Sequence, residues 1–206
     1  RLSVISGNID LKNEEIRSIE NEKIGYAVKF MIEGTKITEI FRFYTDAKKI
    51  REMYIAIVEK MITNFTGETN FFIPLQKLAL SKDLLFTIRE KKLPKNYIFT
   101  FDDIDIASNI LSYREQIEML KYLGHKIAIF NFGTIASNLD TIMAIQPDYV
   151  FLHQLLTEDL DKNYIKQGLV KSLIDLQSKL NTQIVGNNTN RKIQENIGVK
   201  YFREGL

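Results

Sequence analysis

The sequence predicts an α/β fold in which helices surround a mainly parallel sheet. After an N-terminal hairpin, predicted strands and helices alternate to the end of the chain, as they do in repeated β-α-β units. The ten glycines are scattered, and neither Gly-x-Gly-x-x-Gly nor a phosphate-binding Gly-Lys-Ser/Thr loop occurs. A closed barrel is therefore favoured over an open, doubly wound sheet. With 206 residues, the chain lies near the lower limit of roughly 200 for such a barrel, so a shortened form is expected.

The composition is that of an ordinary globular domain, with 45% hydrophobic and 26% charged residues. A net charge of +2 gives no strong attraction to nucleic acid or to an anionic membrane surface. The chain has no cysteine, which excludes disulfides and thiolate metal ligands, and no apolar run approaches the roughly 18 residues of a membrane span. We therefore expect a cytoplasmic domain that does not itself insert into a membrane. Because it begins with Arg1, we expect a larger parent protein, which could be membrane-attached.

The first elements are the least clearly patterned. Residues 1–23 are polar, and we interpret them as a lead-in or linker from an upstream domain, with the barrel domain covering residues 24–206. Residues 26–32 and 36–44 are predicted strands, and the intervening Glu-Gly-Thr predicts a turn between them. The pair is therefore expected to form an antiparallel hairpin.

The elements that follow have stronger signals. The apolar residues of 46–64 recur at helical spacing, a Ser-x-x-Glu capping box opens a helix at Ser112, and Gly124 ends it. In residues 161–180, apolar residues at 165, 169, 173, 176 and 180 predict one buried helix face. Predicted helices cover residues 46–64, 78–91, 112–123, 161–180 and 191–196, with one more short helix after residue 134, and predicted strands cover 70–73, 97–101, 127–130, 149–152, 183–185 and 201–202.

The stretch at residues 127–139 carries the clearest functional signal in the sequence. An unbroken apolar run at 127–130 predicts a buried parallel strand, which Gly133 ends before a loop and a helix. In barrels and doubly wound sheets, functional residues lie at this carboxyl end of a strand. Here the strand tip carries Phe130 and Asn131, neither of which is an acid, a base or a nucleophile.

The same stretch resembles a known family. Residues 132–134, Phe-Gly-Thr, followed by Ser-Asn-Leu at 137–139, are similar to the Asp-Asp-Phe-Gly-Thr-Gly-x-Ser-Ser-Leu segment of EAL domains. Those are bacterial phosphodiesterases that open cyclic di-GMP. The two aspartates that hold metal in active members stand here as Phe130 and Asn131. The resemblance implies a TIM-like (β/α) barrel whose first strand runs antiparallel.

The resemblance can be followed along the earlier strands. The Glu-Ala-Leu signature belongs in the second strand of the hairpin, where Glu39 and the nearby Arg42 give the best match. The plainer interpretation of these two residues is an exposed pair on an alternating strand. The metal-binding asparagine of the family corresponds to Pro74. In the Glu-x-Thr-Glu strand, the first glutamate corresponds to Thr100, and the second, which steadies the Phe-Gly-Thr loop, corresponds to Asp103.

The later motifs also lack the functional residues of the family. The family's catalytic lysine corresponds to Phe151 and the aspartate that follows it to His153. The glutamates of the Glu-Gly-Val-Glu segment correspond to Gly186 and Thr189. The match is good from residue 97 to residue 201, about half of the chain, and weak before that.

Other candidate sites are weaker. Asp102, Asp103 and Asp105 form the one dense acidic cluster near a strand end, and either a metal site or contact with water and a helix N-terminus would explain it. His125 follows a helix-ending glycine and is expected to be exposed, and His153 is expected to be structural.

Together these observations predict a catalytically inactive EAL-like domain with no metal and no cofactor. We expect a regulatory or protein-interaction module of a bacterial signalling protein, whose partner is another protein or a neighbouring domain of the same chain. The alternative is a metal-independent cyclic di-GMP receptor, in which Glu39, Arg42, Asn131 and Gly133 contact the ligand. Tight binding of cyclic di-GMP is not favoured, because the mapped positions are mostly apolar. Asp103 is expected to stabilise the Phe-Gly-Thr loop in either case.

Overall fold

The computed structural model describes residues 9–32, 35–36, 47–76, 80–107, 110–134, 137 and 139–205. Most of the predicted strand at 36–44, including Glu39 and Arg42, lies outside these residues. The strands are β1 Ile9–Ser18, β2 Lys23–Ile32, β3 Thr35–Lys36, β4 Asn70–Pro74, β5 Tyr97–Asp102, β6 Ile127–Phe132, β7 Tyr149–Leu152, β8 Gln183–Gly186 and β9 Tyr201–Arg203. The helices are α1 Ala47–Asn64, α2 Lys82–Glu90, α3 Asp103–Ala107, α4 Ile110–Tyr122, α5 Leu139–Ile145, α6 Gln154–Thr157, α7 Tyr164–Leu180 and α8 Arg191–Ile197.

Eight strands close into a barrel in the order β1-β2-β4-β5-β6-β7-β8-β9, and β9 pairs back with β1. From β2 round to β9 every pairing in this ring is parallel. Strand β1 is antiparallel to both of its neighbours. The two residues of β3 pair with β2 outside the ring. The predicted barrel with an antiparallel first strand is therefore confirmed.

The predicted antiparallel pairing of residues 26–32 with the segment from residue 36 is present between β2 and β3, and a second hairpin lies earlier in the chain. It is formed by β1 and β2, and its turn closes through hydrogen bonds between Ser18 and Glu22, with Asn21 at a φ of 66°. Residues 9–18 thus belong to the barrel, and the predicted lead-in through residue 23 is wrong for them. The strand was missed because its polar residues conceal the alternation. Glu14 faces the barrel interior with Ile16, where it pairs with Lys29 of β2.

Two apolar cores lie on the two faces of the barrel wall. The inner core fills the barrel and contains Ile16, Ala27, Phe72, Ile98, Ala128, Tyr149, Phe151 and Val185. The outer core lies between the strands and the helices, and alternate residues of each strand contribute to it. In β5, for example, Ile98 belongs to the inner core while Phe99 and Phe101 belong to the outer one. This alternation decides which side chains reach the barrel mouth.

Two further predictions differ from the structure, the buried face of α7 and the exposure of His125. The helix predicted at 161–180 forms as α7, but its buried face carries Val170 and Leu173, and Ile165 and Leu169 are 79% and 53% exposed. His125 is buried rather than exposed, because the chain turns directly from Gly124 into β6 beneath the outer core. Its ring packs edge-on against Phe99, and its Nδ1 lies 3.1 Å from the carbonyl oxygen of Tyr97.

Candidate functional site at the barrel mouth

The carboxyl ends of β4 to β9 meet at one end of the barrel, as in other parallel barrels. Because inner and outer residues alternate, the mouth receives Pro74 from β4, Thr100 and Asp102 from β5, and Phe130 from β6. Strand β7 contributes Phe151. Sequence reasoning placed Pro74, Thr100, Phe130 and Phe151 at the mapped active-site positions, and the structure brings them to the same end of the barrel.

Three phenylalanines fill the centre of this mouth. Phe151 is 2% exposed, and its ring centroid lies 4.0 Å from that of Phe130 and 5.2 Å from that of Phe72. Phe72 also packs edge-on against Tyr149 deeper in the barrel. Aromatic pairs at these separations attract each other beyond the burial of their area. The position that the resemblance assigns to a catalytic lysine is therefore part of a closed aromatic core.

Asn131 adopts a left-handed conformation, with a φ of 61°, at an irregularity in the pairing of β6 with β7. Asparagine tolerates this region better than most residues do. Its side-chain Nδ2 donates to Asp102 Oδ2 at 2.6 Å. The amide and the carboxylate thus satisfy each other across the ends of β5 and β6, and the amide occupies one oxygen of the carboxylate.

Asp103 reaches the Phe-Gly-Thr loop through Ser137. The Ser137 hydroxyl donates to Asp103 Oδ2 and accepts from the backbone amides of Gly133 at 2.7 Å and Thr134 at 2.9 Å. Asp103, which was expected to stabilise this loop, therefore contacts its amides through one hydroxyl rather than directly. Burial raises the pKa of Asp103, and the hydrogen bond from Ser137 opposes that rise. Asp103 itself is fully buried.

Gly133 lies where the loop passes closest to helix α6. Its φ is 105°, and a Cβ added there would lie 2.6 Å from the Cβ of Leu156. Only glycine satisfies both conditions without strain. Gly133 is thus required by the loop conformation, whatever contact it makes with a ligand.

Of the mapped positions, Gly186 and His153 do not line the mouth. A Cβ added at Gly186 would meet Phe202 and the Oε1 atom of Gln194, so a side chain at this position would point toward the helix layer. His153 caps helix α6, where its Nδ1 accepts from the backbone amide of Leu155 at 3.1 Å. This agrees with the structural role expected for His153.

The second strand of the hairpin is the place where the resemblance puts the glutamate signature. In the earlier hairpin, formed by β1 and β2, that strand is β2 rather than the predicted 36–44, and β2 contains no acidic residue. Its inward-facing residue at the level of Phe72 is Ala27. Glu39 and Arg42 lie outside the described residues, so their proposed contacts remain predictions.

Sequence reasoning missed a charged cluster on the inner face beside the phenylalanines. Glu14 of β1 forms ion pairs with Lys29 of β2 and with Arg203 of β9. The Arg203 guanidinium carbon lies 5.7 Å from the centre of the Phe130 ring. Burial lowers the pKa of Arg203, and the charge of Glu14 opposes that change. The sequence signal for this cluster is weak: by strand alternation, Glu14 lies on the same face as the inward Ile16 of β1, and Arg203 on the same face as Tyr201 of β9.

The described residues offer no metal centre and no membrane span. Nowhere in this part of the chain do three or more histidine, aspartate or glutamate side chains group closely enough to hold a metal ion. In the same residues, no helix combines the length and hydropathy that crossing a bilayer requires.

Solved structures with this fold include EAL proteins. The chain superposes on BlrP1 of Klebsiella pneumoniae, in a complex with calcium and cyclic di-GMP, with a TM-score of 0.83 and 17% identity. That match covers 96% of this chain and 55% of BlrP1. LapD of Vibrio cholerae, bound to cyclic di-GMP, matches with a TM-score of 0.77 and 12% identity over 98% of this chain and 53% of that one. At these identities the likeness shows the fold.

Sequence comparison gives relatives of known name. The blue light- and temperature-regulated antirepressor BluF of Escherichia coli is 24% identical over 151 residues, covering 66% of this chain and 38% of BluF. The probable cyclic di-GMP phosphodiesterase PdeA of the same organism is 25% identical over 133 residues, covering 63% of this chain and 18% of PdeA. The chain thus spans less than two-fifths of either relative. The sequence model of the EAL domain matches residues 35–194, and this protein therefore belongs to the EAL domain family.

Proposed function

We propose that this chain is a regulatory EAL domain without phosphodiesterase activity, acting in the cytoplasm as a module of a bacterial cyclic di-GMP signalling protein. The observation that carries the proposal is the position of Phe151. Where the resemblance expects the catalytic lysine, a phenylalanine is 2% exposed and packs against Phe72 and Phe130. Because phenylalanine has no ammonium group, this position cannot supply the chemistry of a lysine.

The residues present do not fit a pair of divalent ions. Two-metal hydrolysis needs several carboxylates to hold the ions and to position a water. At the mouth, Asp102 accepts a hydrogen bond from Asn131, and Glu14 forms ion pairs with Lys29 and Arg203. Ala27 and Pro74 supply no ligand side chain, and the Thr100 hydroxyl is a poor substitute for a carboxylate. The mouth thus favours aromatic packing and internal ion pairs over metal binding.

An interaction role has support on the outer surface. Helices α5 and α7 border an apolar cavity of about 130 Å³, lined by leucines, isoleucines and a methionine among others. Met143, which lines this cavity, is 63% exposed, and Leu169 of α7 is 53% exposed. Exposed apolar side chains around an apolar cavity support a protein-binding role. The name of BluF, an antirepressor, shows that a relative has a regulatory role.

The test is a hydrolysis assay with purified chain, cyclic di-GMP and either magnesium or manganese. Release of the linear dinucleotide should not exceed that of a blank without protein. The cyclic di-GMP phosphodiesterase PdeR of Escherichia coli is a suitable positive control. Metal-dependent product formed by this chain at a rate proportional to its concentration would refute the proposal.

A second candidate function is a metal-independent receptor. Its specific support is the cluster of Lys29 and Arg203 around Glu14, because fixed cations could replace metal ions in contacting a phosphate. A receptor role is compatible with a regulatory domain, since ligand binding would supply the signal that the domain passes on.

A further inference from the structure

The cavity between α5 and α7 is lined by apolar side chains from its floor to its rim. The floor lies in the outer core, where Ile142, Leu173 and Ile184 are almost fully buried. Leu139 and Met143 of α5 also line the cavity, and both are exposed, so the rim is open to solvent. The volume of about 130 Å³ can therefore be reached from the surface.

The two polar residues of the lining are already engaged with the backbone. Gln177 Oε1 accepts from the backbone amide of Ile184 at 3.3 Å, and the Thr182 hydroxyl donates to the carbonyl of Pro147 at 2.7 Å. None of the lining residues, all of which the structure describes, has a buried side-chain polar atom without a hydrogen bond. None of them carries a charge. The cavity thus offers carbon surface and no buried donor or acceptor in need of a partner.

A cavity of this kind favours an apolar occupant. The side chains of its wall lack contacts on one side when it is empty, and water would find no polar partner inside it. In other proteins, an apolar cavity of roughly 150 Å³ stays dry and binds benzene or xenon. The similar volume between α5 and α7 matches a single aromatic ring. A charged or strongly polar molecule would lose its hydration there without replacement.

We propose that this cavity binds a neutral apolar molecule about the size of one aromatic ring. Met143 at the rim is unbranched and exposed, so its side chain can move to admit the ligand and then cover it. The ligand would lie beneath the exposed apolar surface, and its binding requires neither a protein partner nor the loss of phosphodiesterase activity. The inference therefore goes beyond the proposed function.

The cavity is close in the chain to the Phe-Gly-Thr loop. Helix α5 begins at Leu139, two residues after Ser137, whose hydroxyl accepts from the backbone amides of Gly133 and Thr134. A ligand that binds only when α5 is folded beside α7 opposes local opening of α5 and of the loop attached to it. The presence of an apolar ligand would thus be felt at the barrel mouth.

Titration with benzene, followed by two-dimensional NMR of the backbone amides, tests the site in the purified chain. The amides of α5 and α7 should shift progressively, with a dissociation constant on the order of 1 mM for so small a ligand. Hydrogen exchange at the amides of Gly133 and Thr134 should slow in saturating benzene. Unchanged exchange with benzene bound would overturn the link to the loop.

Three variants distinguish this cavity from other apolar surface. Leu176→Trp should weaken benzene binding about tenfold or more, because the larger side chain fills the cavity from α7. Leu169→Trp is the matched control, since it places the same side chain on α7 at an exposed residue outside the lining, and it should leave the affinity unchanged. Leu180→Ala enlarges the cavity and should shift the preference from benzene toward the longer n-butylbenzene.

Thermal unfolding checks that each variant is folded. The inference is overturned if benzene shifts no amide of α5 or α7 in the folded wild-type chain, or if folded Leu176→Trp binds benzene as the wild type does. Sedimentation velocity tests for a second copy of the chain as the occupant. A wild-type dimer that Leu176→Trp converts to a monomer, with no binding of benzene, would assign the cavity to that copy and would also overturn the inference. Metal-dependent hydrolysis would refute the proposed function alone.

Discussion

At the residue scale, Ser137 holds together two parts of the mouth that are distant in sequence. Its hydroxyl accepts from the amides of Gly133 and Thr134 and donates to the buried carboxylate of Asp103. Since a hydroxyl can accept two hydrogen bonds while donating one, all of its capacity is used. Asp103 Oδ1 accepts no hydrogen bond from any described residue, so Ser137 is its essential partner within this part of the chain.

Replacement of Ser137 by alanine should lower the free energy of unfolding by about 2 kcal/mol or more, because two amides and a buried carboxyl group lose their partner. Ser172→Ala is the matched control, since the exposed Ser172 donates only to the carbonyl of Gly168 within α7. It should change the free energy by less than about 0.5 kcal/mol. Urea unfolding followed by circular dichroism measures both. Equal effects of the two substitutions would contradict the role assigned to Ser137.

A residue-scale comparison of two glycines separates backbone strain from helix propensity. Gly133→Ala should destabilise the protein by about 2 kcal/mol or more, because φ is 105° and the new Cβ would lie 2.6 Å from Leu156. Gly168→Ala should stabilise it by about 0.5–1 kcal/mol, because Gly168 lies in α7 and an added Cβ there meets nothing within 4 Å. Chemical denaturation of both variants should show opposite signs. The same sign for both would show that the loop can relax around a Cβ.

At the element scale, how well each strand could be predicted depends on its surroundings. The strands β5, β6 and β7 are covered on both faces, so their apolar runs were visible in the sequence. Strand β1 borders the barrel mouth and ends at the hairpin turn. Its charged residues obscure the alternation of buried and exposed positions, so the sequence did not predict it as a strand. The motif positions Phe130 and Phe151 were predicted because they lie in recognisable segments. Lys29 and Arg203 were not, since a lone charge on a strand does not reveal which face it occupies.

The start of β6 also gives the protein a pH-dependent stability. His125 is 4% exposed, and since the Tyr97 carbonyl can only accept, the Nδ1 atom of His125 must carry its proton. Burial lowers the pKa of His125, so the unfolded chain takes up a proton at a higher pH than the folded one. Its contribution to stability is therefore complete above about pH 6.5 and is lost as the pH falls through the lowered folded pKa.

Substitution of His125 by asparagine tests this linkage. Asparagine does not titrate, so the variant should be less stable at neutral pH but should lose less stability between pH 7 and pH 5 than the wild type does. Unfolding by urea at several pH values gives both slopes. Parallel curves for the two proteins would contradict a lowered pKa of His125 in the folded state.

At the scale of the whole molecule, β1 closes the barrel, and the site depends on that closure. This strand pairs with β2 on one side and β9 on the other, and it places Glu14 between Lys29 and Arg203. Without β1, the edges of β2 and β9 would be left unpaired, and the inner core would be open to water. The charged cluster and the aromatic core therefore depend on the segment with the weakest sequence signal.

A chain shortened to residues 24–206 should fail to unfold cooperatively and should aggregate, because it retains two open strand edges and an incomplete inner core. In the full chain, Ile16→Ala should lower the free energy of unfolding by about 2–5 kcal/mol, since Ile16 is fully buried in that core. Ile19→Ala is its control, because Ile19 lies just past β1 and is 46% exposed, and it should cost less than about 0.5 kcal/mol. Calorimetry and light scattering follow the three proteins. A shortened chain with the thermal transition of the full one would mean that β2 to β9 form a stable domain alone, and the barrel would then begin at the boundary that the sequence first indicated.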